Sequence, residues 1–245
     1  PISGGGTDYL LMITPIDDGP VEVSLAAGAV TDAAGNGTLA SNIITIEYDG
    51  SAPELTMVSA IPTLVATATP SFTVNTTEDG DLTFAGTCQS QLTTVALGDN
   101  MVTLDSLADA TYSDCSITVT DDVGNTSVAL IFDPFTVDTS APTLAEVTPI
   151  TGRLSVSGKT ESPTPSYTFT TTQAGTISYG GSCSSPITSA TIGENTVEFT
   201  ALAEGTYDDC MLMVTDAAGN DSNKLTVSQF EIALPAPILS EVEAN

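Results

Sequence analysis

The chain has 245 residues, 41% of them hydrophobic, so it can build packed cores and is not a disordered acidic tail. Against 31 Asp and Glu it carries three basic residues, Arg153, Lys159 and Lys224, and no His, for a formal net charge of −28. That balance excludes nucleic acid, which needs clustered Lys and Arg, and docking on an anionic bilayer. It favours cations instead, and carboxylate oxygens are the hard ligands that calcium prefers.

No apolar run approaches the roughly 18 residues of a membrane helix, so no direct membrane insertion is expected of this segment. The chain opens on Pro1-Ile2-Ser3 without an initiator Met, which reads as a fragment. Strands are expected near 7–14 and 20–25. The hairpin Val30-Thr31-Asp32-Ala33-Ala34-Gly35-Asn36 follows. Residues 1–50 thus have room for only the C-terminal part of a domain. The linker Asp49-Gly50-Ser51-Ala52-Pro53 leads into seven expected strands, near 54–59, 70–76, 81–88, 92–97, 101–105, 112–120 and 127–137. They are rich in Thr, Val, Ile and Phe, alternate with polar residues, and are cut by Gly, Asn, Asp and Pro. A second linker, Asp138-Thr139-Ser140-Ala141-Pro142, separates a complete domain at 51–139 from another at 140–234. Residues 235–245 look like the first strand of a following domain, or a tail. No segment sustains a 3.6-residue period, so helix should be almost absent.

Self-similarity is the strongest signal. Tyr112-Ser113-Asp114-Cys115 and Val119-Thr120-Asp121-Asp122-Val123-Gly124-Asn125 recur 95 residues later as Tyr207-Asp208-Asp209-Cys210 and Val214-Thr215-Asp216-Ala217-Ala218-Gly219-Asn220. Pro70-Ser71-Phe72-Thr73 and Pro165-Ser166-Tyr167-Thr168 keep the same offset. Seven short strands in about 90 residues, with Pro-marked junctions, is the pattern of an immunoglobulin-like sandwich. The fold class expected is therefore all-β: tandem immunoglobulin-like β-sandwich domains in an elongated array. Tyr112 and Tyr207, each behind a Leu-Ala-acid-x-Thr run, look like tyrosine corners; ordinary core aromatics are the alternative.

The Thr-Asp-x-x-Gly-Asn hairpin, followed by a strand and then Asp-x-Ser-Ala-Pro, resembles the bacterial Ig-like repeats of large surface adhesins, the biofilm-associated-protein type. The resemblance spans essentially the whole chain. It implies a stalk that projects a binding tip, with calcium at the linkers. It says little about any particular ligand.

In an immunoglobulin-like order the third and sixth strands are antiparallel neighbours. That brings Cys88 beside Cys115 and Cys183 beside Cys210, each pair 27 residues apart. Two intradomain disulfides follow, and with them an extracellular or cell-surface location reached through an oxidising compartment. A zinc site would need thiolates from two repeats, and no C-x-x-C spacing exists. Members of the resembled family exported in one step often lack Cys, so these four depart from its pattern and suggest passage through a periplasm.

The same topology gathers acids. The second–third and sixth–seventh strand loops should lie where the chain enters each domain. Asp49 should therefore approach Asp121, Asp122 and Asn125, with Glu78 and Asp79 on the adjoining loop. Asp138 should likewise approach Asp216 and Asn220. Asp32 and Asn36 hold the same places in the first hairpin and complete the candidate ligand set. Several carboxylates within a few ångströms repel unless a cation neutralises them, and calcium accepts six to eight oxygens in irregular geometry. The competing account is that Asp-x-x-Gly-Asn is simply good turn chemistry. The last junction, Glu231–Pro235, has no Asp at the linker position.

Three functions remain open. One is a calcium-rigidified stalk segment of a surface adhesin, whose partners are neighbouring repeats and whose host or matrix ligand is met by domains outside this segment. The others are a polymerising filament subunit completed by strand exchange between identical subunits, and a glycan- or protein-binding module. The last is disfavoured by the absence of Trp and by only 5% aromatics. Without His or a thiol outside the disulfides, no nucleophile–base motif is visible, and an enzyme is not expected.

Overall fold

A computed structural model describes residues 2–5, 8–150 and 159–235. Among these there is no helix, and so none long and apolar enough to cross a membrane. The fold is all-β. The chain divides into two compact units: Pro1–Ala60 with Ser71–Thr103 and Asp114–Phe132, and Ile61–Pro70 with Leu104–Ser113 and Asp133–Asn245.

The second unit contains every strand of 144–232. Strand Ser166–Thr171 sits between Leu144–Thr148 and Gly193–Glu198 in one antiparallel sheet. Gly175–Gly180 and Met211–Thr215 pair at the centre of another, flanked by Ser189–Ala190 and Leu225–Thr226. First, second and fifth strands on one side, with third, sixth and seventh on the other, is the order of an immunoglobulin-like sandwich. A small third sheet joins Lys159–Thr160 in parallel to Phe230–Ile232, which also pairs with Gly205–Tyr207.

The alternation that suggested strands is the alternation that fills the core. Tyr167, Phe169 and Thr171 point inward from one strand, Leu212 and Val214 from the facing sheet, and Val197, Phe199 and Ile177 close the cluster. The Tyr167 and Phe199 rings stack at 5.9 Å, and Phe230 stacks under Tyr207 at 5.3 Å. Both tyrosines expected at corners make the defining bond: Tyr112 Oη donates to Ala108 O and Tyr207 Oη to Ala203 O, each at 2.9 Å.

The same strand order occurs 95 residues earlier. In the first unit Ser71–Thr76 lies between Leu55–Ser59 and Gly98–Thr103, and Gly80–Ala85 pairs with Ser116–Thr120, flanked by Thr94–Val95 and Leu130–Ile131. Phe72 from one sheet meets Phe132 edge-on at 4.7 Å. Leu64–Val65, Ala110–Tyr112 and Phe135–Val137, in the second unit, form the matching small sheet.

Two expected strands are each divided. The span 112–120 breaks at residues 113–115, and 127–137 breaks at 132–134. In both, the two halves belong to different sheets. The break after Tyr112 falls where Cys115 turns inward to its disulfide, and continuous Thr-Val-Ile patterning conceals such a change of sheet.

Residues 10–50 contain no buried side chain. Gly19–Val23 pairs with Ile44–Tyr48, and Ile2–Gly5, not expected from the sequence, pairs with Asp8–Leu11. Leu11, Val23, Leu25, Val30 and Ile44 line an open apolar groove of about 420 Å³. The following strand or tail expected at 235–245 lies, beyond Pro235, outside the described residues.

Candidate functional site

Each linker is held by two loops, and their placement follows from local sequence. The loop after Ser71–Thr76 is pinned by a buried threonine: Thr76 Oγ1 donates to Glu78 O at 2.9 Å. Thr77 Oγ1 then accepts from Glu54 N just beyond the linker. Gly80 permits the approach of this loop to the next, because a Cβ there would lie 2.5 Å from Thr120 O.

The second loop is the Asp-x-x-Gly-Asn hairpin. Asp121 Oδ1 accepts from the backbone N–H groups of Val123, Gly124 and Asn125 at 2.7–2.9 Å. Gly124 takes a φ of +102°, which closes the turn. The Asn125 amide then donates twice, to Asp121 Oδ2 at 2.9 Å and to Asp49 O of the linker at 3.2 Å. Asp121 thus shapes the turn, as good turn chemistry predicts, and Asn125 ties the turn to the linker.

The result brings together the expected acids at the first linker. Oxygens of Asp49, Glu78 and Asp121 lie within 4.8 Å of one another. Asp79 and Asp122 line the same open cavity of about 310 Å³. Oxygens about 2.4 Å from one calcium ion are at most about 4.8 Å apart, so the spacing suits a single ion. Burial pushes the Glu78 carboxyl above its ordinary value, and the charges of Asp49, Asp121 and Asp18 add to that. Burial also opposes ionisation of Asp121, but the Asn125 amide and the loop N–H groups outweigh it and hold that carboxyl below its ordinary value. Asp121 is thus a fixed anion, and Glu78 is the strained one.

At the second linker the frame recurs. Asn220 Nδ2 donates to Asp138 O at 2.8 Å and to Asp216 Oδ2 at 3.0 Å, and Asp216 Oδ1 takes the three loop N–H groups. The places of Glu78, Asp79 and Asp122 are held by Gln173, Ala174 and Ala217. In the first hairpin Asp32 Oδ1 accepts from Ala34 and Asn36, and Asn36 Nδ2 donates to Asp32 Oδ2 at 2.9 Å. Those bonds stay within the turn.

One set of residues escaped sequence reasoning. Asp18 accepts from Gly50 N at 2.7 Å and from the Ser51 hydroxyl. Asp109 accepts from Thr139 N, Thr139 Oγ1 and Ser140 Oγ at 2.6–2.9 Å, and Glu204 from Leu234 N at 3.0 Å. Each is an acid directly ahead of a short strand, Gly19–Val23, Ala110–Tyr112 or Gly205–Tyr207, and each binds backbone about 30 residues later. The recurring signal was there: Asp109-Ala-Thr-Tyr and Glu204-Gly-Thr-Tyr.

Both disulfides pair as expected, Cys88 with Cys115 and Cys183 with Cys210, with Cα atoms 5.4 and 5.2 Å apart. They join the ends of the paired third and sixth strands.

No known protein family's profile matches the chain, and no curated protein matches it. Among solved structures it is similar to the D00-D0 domain of intimin, at 12% identity and a TM-score of 0.33, covering 71% of this chain and 98% of that one. It is also similar to SGBP-B of the Bacteroides ovatus mixed-linkage glucan utilization locus, solved with a mixed-linkage heptasaccharide (11% identity, TM-score 0.22, 89% of this chain and 55% of that). A third is the gamma-CGTase of alkalophilic Bacillus clarkii (12%, 0.22, 82% and 30%). Likenesses this weak decide nothing about function, and the immunoglobulin-like assignment rests on strand order.

Proposed function

We propose that the chain is a structural stalk segment of an extracellular surface adhesin, in which calcium at the first linker restrains the chain between successive immunoglobulin-like repeats. The convergence of Asp49, Glu78 and Asp121 from a linker and two separate loops carries this reading. Glu78 and Asp49 would supply the charge, Asp121 Oδ2 would keep acceptor capacity because its hydrogen bonds fall mostly on Oδ1, and Asp79 and Asp122 stand nearby. The two disulfides suit a protein of an oxidising, extracellular compartment. The net charge of −28 suits a calcium-rich medium.

Small-angle scattering of the whole chain, with calcium and then with a chelator, tests the role. Chelation is expected to increase flexibility while β-type circular dichroism survives. An unchanged scattering profile would sink the proposal that the ion restrains the linker.

A further inference from the structure

We infer that the second linker, Asp138–Pro142, is closed without a cation, by amide side chains, one of which (Gln173) stands where the first linker presents the Glu78 carboxylate, so that divalent-ion withdrawal releases the chain at one linker and not the other. The contrast rests on the reading of the first linker as a calcium site; the lock at the second stands on its own bonds.

Glu78 and Gln173 occupy one structural position. Each follows the end of its strand by two residues, and each has its backbone carbonyl fixed by a buried threonine, Thr76 or Thr171. A carboxylate at this position can only accept, so it needs a cation or a donor to face it. An amide can donate. Gln173 Nε2 does so, to Ser140 O of the linker at 3.0 Å. Asn220 Nδ2 reaches Asp138 O from the opposite loop at 2.8 Å, so two neutral amides grip the linker backbone from two sides.

A third amide extends the lock into the strand. Asn223 Oδ1 accepts from Leu144 N at 2.8 Å, and its Nδ2 donates to Leu144 O at 3.1 Å, as a neighbouring strand would. The matching residue in the earlier copy is Val128, which is exposed. Charge follows the same division. The first linker gathers Asp49, Glu78, Asp79, Asp121 and Asp122. At the matching places the second has only Asp138 and Asp216, and both take N–H donors. Among the described residues, these two hydrogen-bonded carboxylates gather less like charge than the five at the first linker.

Hydrogen exchange of the full 245-residue chain, read by mass spectrometry on peptides spanning 49–55 and 138–144, tests this with and without calcium. In the unmodified chain the chelator should speed exchange at 49–55 and leave 138–144 unchanged. Gln173→Ala should speed exchange at 138–144 about fivefold whether or not calcium is present, the size expected from one lost hydrogen bond. Gln173→Glu should make 138–144 sensitive to the chelator. The inference is overturned if the chelator speeds both peptides of the unmodified chain alike, or if Gln173→Ala leaves 138–144 unchanged. If the chelator alters neither peptide while Gln173→Ala still loosens the second, the calcium reading of the first linker fails and the amide lock stands.

Discussion

The linkers Asp49–Pro53 and Asp138–Pro142 begin with the same frame: an Asp that accepts from the Ser two residues on, an Asn that bridges linker and hairpin, and an acid that clamps the backbone from an earlier loop. They differ at three places, where Glu78, Asp79 and Asp122 are matched by Gln173, Ala174 and Ala217. These replacements remove three anions and put one amide donor, Gln173, in their place. The repeated fold keeps this frame while the charge around it changes.

The bridging asparagines test the shared part of that comparison, and their removal should give the largest effect. Asn125→Ala and Asn220→Ala each remove the donor to a linker carbonyl and to an aspartate oxygen, at a cost of about 0.5–1.5 kcal/mol. Calcium should recover part of the loss for Asn125→Ala and none for Asn220→Ala. Unfolding curves with and without the ion would show it, and equal recovery in both would remove the distinction.

A smaller effect should come from acidity. The Glu78 carboxyl is raised by burial and by its anionic neighbours, so in chelator its contribution favours folding below its ordinary value of 4.5 and is lost as pH rises through the raised one. Asp216 behaves oppositely. Burial works against its charge, but its Asn220 and loop hydrogen bonds prevail and lower it, so its contribution is present above 3.8 and is lost as pH falls. Glu78→Gln in chelator should thus raise the melting temperature by about 1–2 °C at pH 7, and the gain should vanish near pH 4. A gain that persisted unchanged in acid would mean that Glu78 is not under electrostatic strain.

Much of this was legible in the residues. The 95-residue offset, the alternation of Phe72, Val74 and Thr76 against outward Thr and Asn, and the two cysteine pairs led directly to strand order and disulfides. Asp49 could be placed beside Asp121, 72 residues away, because the strand order leaves the hairpin no other pole. The changes of sheet at 113–115 and 132–134 were not legible, since a Thr-Val-Ile run looks the same whichever sheet it joins. The Asp18 and Asp109 clamps were only half legible: the recurrence of Asp109 and Glu204 ahead of Thr-Tyr marks a position, but nothing in the sequence names the linker backbone as its partner. The Gln173 bond to Ser140 O was not legible either, since a Gln after a strand has no fixed partner in the sequence.

Calcium titration by calorimetry on the full chain tests the central claim most directly, comparing the unmodified protein with Glu78→Gln and Asp138→Asn. Ligand charge sets calcium affinity in oxygen sites, so Glu78→Gln should weaken binding about tenfold or more, whereas Asp138→Asn should leave affinity and stoichiometry unchanged. If Asp138→Asn weakened binding as much as Glu78→Gln, or if Glu78→Gln changed nothing, the division between a cation-closed and an amide-closed linker would be contradicted.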